Sequence, residues 1–272
     1  MRTAARLIES FRPSFPGHGC GWGRWLDAGV AQALGMAGDA AGARQAMDRA
    51  EVSGHPGVVC FESEVMLARA WLAVAEGAVS RAVELAGDAA SLASSSEQWA
   101  VEVVARHAAV CFGDPGQTAP LTALAERVDG PRAPAAAAHA AALADQDADG
   151  LLAASARLEQ LELLLLAADA AAQAAVLHRA QGRATQAAFA SARASGLAQR
   201  CDDARTPALL AGTSPLLISA REREVATLGL SRYATRNGLH GQGPAPSRTC
   251  PESCSAMWLK PVTARGTAPA RR

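Results

Sequence analysis

Between residues 24 and 200 the chain is written almost entirely in strong helix formers, Ala, Leu, Glu, Arg and Gln. β-Branched alternation is nearly absent there, so strands have no pattern to form on. In the window Phe61 to Leu72, the residues Phe61, Val65, Ala68 and Leu72 recur at steps of four, three and four, which places them on one helical face. Turn signals punctuate the helical stretches: Gly54-His55-Pro56-Gly57, Gly77, Ser94-Ser95-Ser96, Gly113-Asp114-Pro115-Gly116, Gly130-Pro131, Asp149-Gly150 and Gly182. The segments between them run to roughly 12 to 18 residues, an ordinary helix length. Gly77, Gly113, Gly150 and Gly182 follow one another at steps of 36, 37 and 32. Two helices per 32 to 37 residues is the signature of tetratricopeptide-like arrays. Alanine, 67 of 272 residues, suits such an array because it lets neighbouring helices approach closely. The most regular unit is Ala167 to Gln181, a turn at Gly182, then Ala184 to Arg200. The predicted fold is all-α, a solenoid of helical hairpins over residues 1–205, with an irregular helical bundle as its rival.

The formal net charge is zero, but residues 1–228 carry 19 Arg against 25 Asp and Glu. Residues 229–272 carry six Arg, Lys260 and one Glu, so two kinds of sequence share the chain. With one lysine and no Gly-x4-Gly-Lys-Ser/Thr string, a Walker A phosphate loop is excluded. The longest bulky apolar run, Leu163 to Leu166, is far short of the ~20 residues a bilayer needs. Glu9 interrupts the place where a signal peptide would be apolar, and the six cysteines are mostly scattered. The expectation is therefore a cytoplasmic protein with reduced thiols and no membrane partner.

From Thr206 the texture changes. Residues 206–216, with prolines near both ends, read as a linker. A compact helical start follows, in which Ser219 and Glu222 form a Ser-x-x-Glu capping box and Val225 and Leu228 share an apolar face. The string Ile218-Ser219-Ala220-Arg221-Glu222-Arg223-Glu224-Val225-Ala226-Thr227-Leu228 resembles the opening of a LuxR-type helix-turn-helix domain. Ala68 to Gly77 and Val128 to His139 resemble the C-terminal helical region of the large, ATPase-containing LuxR-type transcriptional regulators, as does Met36 to Arg44. The resemblance spans roughly residues 1 to 236. It implies a transcriptional regulator with DNA as partner, and a helix-turn-helix remnant at 217–236 carrying Ser219, Arg221, Glu222, Glu224, Val225 and Leu228.

Two departures qualify that implication. Members of the subgroup normally place an ATPase-type domain ahead of their repeats, and none is expected within residues 1–272. After Gly229-Leu230-Ser231 the family pattern is lost, and the recognition helix with it, so no base-reading residue carries over. Residues 244–254 can be read one nucleotide out of frame as Arg-Thr-Val-Glu-Asn-Leu-Ser-Arg-Val-Leu, which resembles that helix. The expectation is that a slip of the coding frame near Ser231 to Arg236 underlies the loss. On this reading residues 237–272, where no periodicity survives, form a disordered tail. The expected function is a LuxR-type regulator fragment impaired in sequence-specific DNA binding. The alternative is a helical-repeat module that binds a protein partner or small effector without DNA.

Sharper chemistry finds little footing. Asp145 to Gly150 matches the first half of a calcium loop, but the closing position is Ala156, so an acidic interhelical turn is expected. Cys250 and Cys254 with His240 make at most half a zinc site. His18, His55, His107, His139, His178 and His240 lie far apart, without a Ser, Cys or Asp constellation. The expectation is no enzyme, no cofactor and no metal.

Overall fold

The computed structural model describes residues 1–14, 22–52, 59–202, 204–213 and residue 225. The described residues form twelve α-helices and no strand, in one compact unit spanning Met1–Gly229. Residues 230–272 make up a second unit that lies outside the described residues, as does the predicted disordered tail. The fold is all-α, an array of helical hairpins. α1 (Arg2–Phe11) precedes five hairpins: α2 (Trp22–Met36) with α3 (Ala40–Val52), α4 (Glu62–Ala75) with α5 (Val79–Ser95), α6 (Trp99–Phe112) with α7 (Thr118–Ala125), α8 (Arg132–Ala144) with α9 (Ala148–Gln160), and α10 (Leu164–Ala180) with α11 (Ala184–Gln199). α12 (Pro207–Thr213) closes the order. No helix among the described residues is long and apolar enough to cross a membrane.

One turn geometry repeats through the array. Gly38, Gly77, Glu97, Gly113, Gln146, Glu162 and Gly182 all have positive φ. At each, the amide donates to the carbonyl three residues back and the next amide donates to the carbonyl five back, the Schellman closure of a helix. At Gly77, for example, the bonds run to Val74 O at 3.0 Å and from Ala78 to Ala73 O at 2.8 Å. Within hairpins the left-handed residues stand at 38, 77, 113, 146 and 182. The glycine rhythm therefore locates three of these turns. Gly150 is a correction: it lies in the first turn of α9, and the chain reverses at Gln146 (φ 52°). Asp147 caps α9 by accepting from the amides of Asp149 and Gly150, which gives the acidic string its structural role.

The array curls until its ends meet. The Met1 amino group pairs with Asp202 at 2.6 Å and donates to Cys201 O, and the Arg205 amide donates to Met36 O at 2.8 Å. Residues 206–213 correct the expected linker. Thr206 accepts from the Leu209 amide as an N-cap, Pro207 fills the first helical position, and Pro207, Ala208 and Leu209 are buried. α12 seals α10, whose alanines 167, 168, 170, 171, 172, 174 and 175 are all buried, so this helix is sheathed on every side.

Two glycine substitutions separate conformational strain from close packing. A Cβ on Gly35 would meet the Trp71 carbonyl oxygen at 2.6 Å, backbone against backbone, whereas one on Gly77 (φ 81°) meets nothing within 4 Å. Gly77→Ala is expected to cost about 1–2 kcal/mol from the left-handed backbone alone. Gly35→Ala is expected to cost about 1–3 kcal/mol by forcing α2 from α4. Gln146→Gly is expected to stabilise, and urea denaturation of the three variants checks all three signs.

Candidate functional site

α10 is enclosed, so its polar side chains must find partners inside the protein. They do so along a buried line crossing three helices. His107 Nε2 on α6 lies 3.0 Å from His139 Nδ1 on α8, and His139 Nε2 lies 2.7 Å from Gln173 Oε1 on α10. Gln173 Nε2 then donates to Val110 O at 2.8 Å, returning the line to α6. The chemistry fixes the hydrogens. Gln173 must donate to a carbonyl, so its oxygen faces His139 and His139 carries its proton on Nε2. His139 Nδ1 is then an acceptor, and His107 supplies the N–H from Nε2. The remaining nitrogen, His107 Nδ1, keeps a buried lone pair without a hydrogen-bond partner.

One turn further along α6 stands Cys111, whose thiol and the Asp169 carboxyl of α10 shift each other's proton affinity, and the Thr206 hydroxyl donates to Asp169 Oδ1. Asp169 Oδ2 is buried without a partner. His107, His139 and Asp169 are each 0% exposed. Burial decides their protonation: it pushes the Asp169 carboxyl up to about 7, against the hydrogen bond from Thr206 and the influence of the nearby Cys111 thiol. It pulls His139 down to about 4, and it lowers His107, with His139 and Arg132 adding to the shift. It also raises the Cys111 thiol well above its usual value, with Asp169 acting in the same direction.

Two cavities flank this line. One, of about 640 Å³, is lined by Cys111, Phe112, Gln173, Leu143 and Pro207. The other, of about 580 Å³, is walled by Met36, Leu67, Trp71, Val104 and Leu164 and contains Arg132, the first residue of α8. Arg132 is half-buried, its Nε has no hydrogen-bond partner, and no carboxylate among the described residues pairs with it. Its charged neighbours on the rim are engaged elsewhere: Arg200 with Glu159 and the Met1 amino group with Asp202. Glu162, also on the rim, faces water.

The histidines stand far apart in the sequence, and the fold brings His107 and His139 into contact. The legible signal was His107-x3-Cys111, two metal- and proton-active residues one helical turn apart on one face. Arg132 carried no local signal, because its isolation is a property of the curled array. Of the helix-turn-helix residues, Ser219, Arg221, Glu222, Glu224 and Leu228 lie outside the described residues, and Val225 is described as helical and exposed. His240, Cys250 and Cys254 also lie outside them. Among the described cysteines, Cys60, Cys111 and Cys201 are free thiols. No protein-family model matches the chain, and neither does any curated protein or solved structure.

The buried line makes stability depend on pH from both sides. His107 and His139 bind protons near 6.5 only when unfolded, so stability falls as pH drops from 6.5 toward 4. Asp169 acts oppositely, since the folded state holds a proton above 3.8 and its contribution is lost as pH rises through about 7. Stability is expected to peak near pH 6.5, with an acid-side slope of about 1.4 kcal/mol per pH unit for one net proton. Asp169→Asn is expected to abolish the fall between pH 6 and 8, as read by urea denaturation across that range.

Proposed function

We propose that this chain is the effector-sensing helical part of a LuxR-type transcriptional regulator, and that the cleft around Arg132 binds a small amphipathic carboxylate. The observation that carries the reading is the unpaired guanidinium among apolar walls. A guanidinium half withdrawn from water, with Nε buried and unpartnered, gains by pairing with a ligand anion. The cleft's volume lies within the range of small-molecule sites, which combine apolar walls with a few polar anchors. Arg132 supplies the anchor, since a guanidinium fork matches a carboxylate bidentately. Trp71 and the leucines hold the ligand's apolar body. A small effector also fits a curled array, whose hairpins share one cleft and respond together to what fills it.

The DNA-binding side of the reading rests on the resemblance of residues 218–228. The chain loses the family pattern before a recognition helix, so it retains no element to read base edges. What remains for DNA is the arginine-bearing segment 229–272, which acts on phosphates without sequence preference. The function is thus effector binding in the cytoplasm, without catalysis, coupled to an impaired DNA-binding end.

Calorimetric titration with octanoate and with 1-octanol tests the cleft. Octanoate is expected to bind saturably, and Arg132→Gln is expected to weaken it about tenfold or more, the equivalent of at least 1.4 kcal/mol. Equal binding of octanoate to the variant, or none to the native chain, overturns the carboxylate assignment. Binding of 1-octanol alone keeps the cleft as a ligand site and removes the anion from it. Fluorescence titration with duplex DNA is expected to show weak binding that falls steeply with salt. Sequence-selective binding at physiological salt would overturn the impairment.

A further inference from the structure

We infer that His107, Cys111 and His139 form a buried binding site for one zinc ion. Each residue offers one ligand atom, and the three atoms lie within 4.8 Å of one another. His107 and Cys111 stand at i and i+4 on α6, which stacks their side chains on one face, and His139 reaches them from α8. Two imidazoles and a thiol are the donor set of a borderline-soft divalent ion, whereas oxygen-preferring ions gain nothing here. Zn–S of about 2.3 Å and Zn–N of about 2.0–2.1 Å place tetrahedral donors about 3.6 Å apart, so side-chain rotations of about 1 Å complete the fit.

The surroundings carry the features that support metal ligands. Gln173 Oε1 takes the His139 Nε2–H and so aims the lone pair of Nδ1 into the cluster, the orienting role that outer partners play at zinc sites. His107 Nδ1 has no partner, which a purely structural hydrogen-bond line does not explain. The 640 Å³ cavity opens onto Cys111 and provides both an access route and a fourth position for water.

Binding exchanges the thiol proton for the ion. Cys111 S–H loses its proton to solvent as the Zn–S bond forms, and both imidazoles stay neutral. His107 coordinates through one ring nitrogen and keeps its proton on the other. Protein and ion undergo no change of oxidation state.

Cobalt titration of the full chain tests the site. One equivalent of Co²⁺ is expected to give a thiolate-to-cobalt charge-transfer band and the intense visible bands of tetrahedral cobalt. C111A is expected to abolish them and H139Q to weaken them, while C250S and C254S together leave them unchanged. Zn²⁺ is expected to raise the unfolding temperature of the native chain and not that of C111A. Absence of the charge-transfer band, or its survival in C111A, overturns the site. Should circular dichroism show that C111A has lost its helices, zinc-edge X-ray absorption of the native chain decides. One sulfur with at least two nitrogens supports the site, and two sulfurs or an all-oxygen shell overturns it.

Discussion

Helices in this array stand as close as alanine allows, and the rest of the structure follows from that spacing. The α10 alanines are buried around the whole circumference of the helix, and α2 meets α4 where Gly35 lies against the Trp71 carbonyl. Small side chains contribute little burial each, so the array cannot rely on large interdigitating residues alone. It gains stability through many close backbone approaches and through a turn geometry reused at seven positions. Curling the ends together, with Met1 on Asp202 and Arg205 on Met36, then removes the exposed flank that an open solenoid keeps.

Close packing has a chemical consequence. A polar side chain on a sheathed helix is largely withdrawn from water, so Asp169 and Gln173 take their partners from neighbouring helices. Gln173 achieves this fully, bonding His139 and the Val110 carbonyl. Asp169 achieves it by half, with Thr206 as its partner and one oxygen left over. The same low-polarity setting keeps both histidines, the thiol and much of the carboxyl in their neutral forms at neutral pH. A line of neutral donors and acceptors is tolerable in such a core, and it is also what a metal ion needs before it displaces a thiol proton.

The helical class and the hairpin rhythm were readable because propensity and glycine position are local properties. Gly77, Gly113 and Gly182 announced their turns, and Ala167 to Arg200 became α10 and α11 within a few residues. Gln146, Glu97 and Glu162 were not readable, since a non-glycine residue enters the left-handed region only where packing enforces it. α12 was missed for a different reason: Thr206-Pro207 is a helix start as well as a linker signal, and burial against α10 decides between them. The candidate site was the least legible part. His107 and His139 stand 32 residues apart, one repeat, so their contact exists only once the hairpins are stacked in register.

Arg132 ties the two halves of the molecule's chemistry together. It lines the apolar cleft on one side, and on the other its charge lowers both the His107 and the Cys111 proton affinities. A positive charge at this position favours the thiolate and opposes a cation beside it. An anion seated on Arg132 would offset both effects. Whatever binding at one location does to the other is returned in equal measure, because coupling free energies are reciprocal. Arg132, the first residue of α8, is thus a position where a solvent-facing cleft and a buried polar line share a single charge.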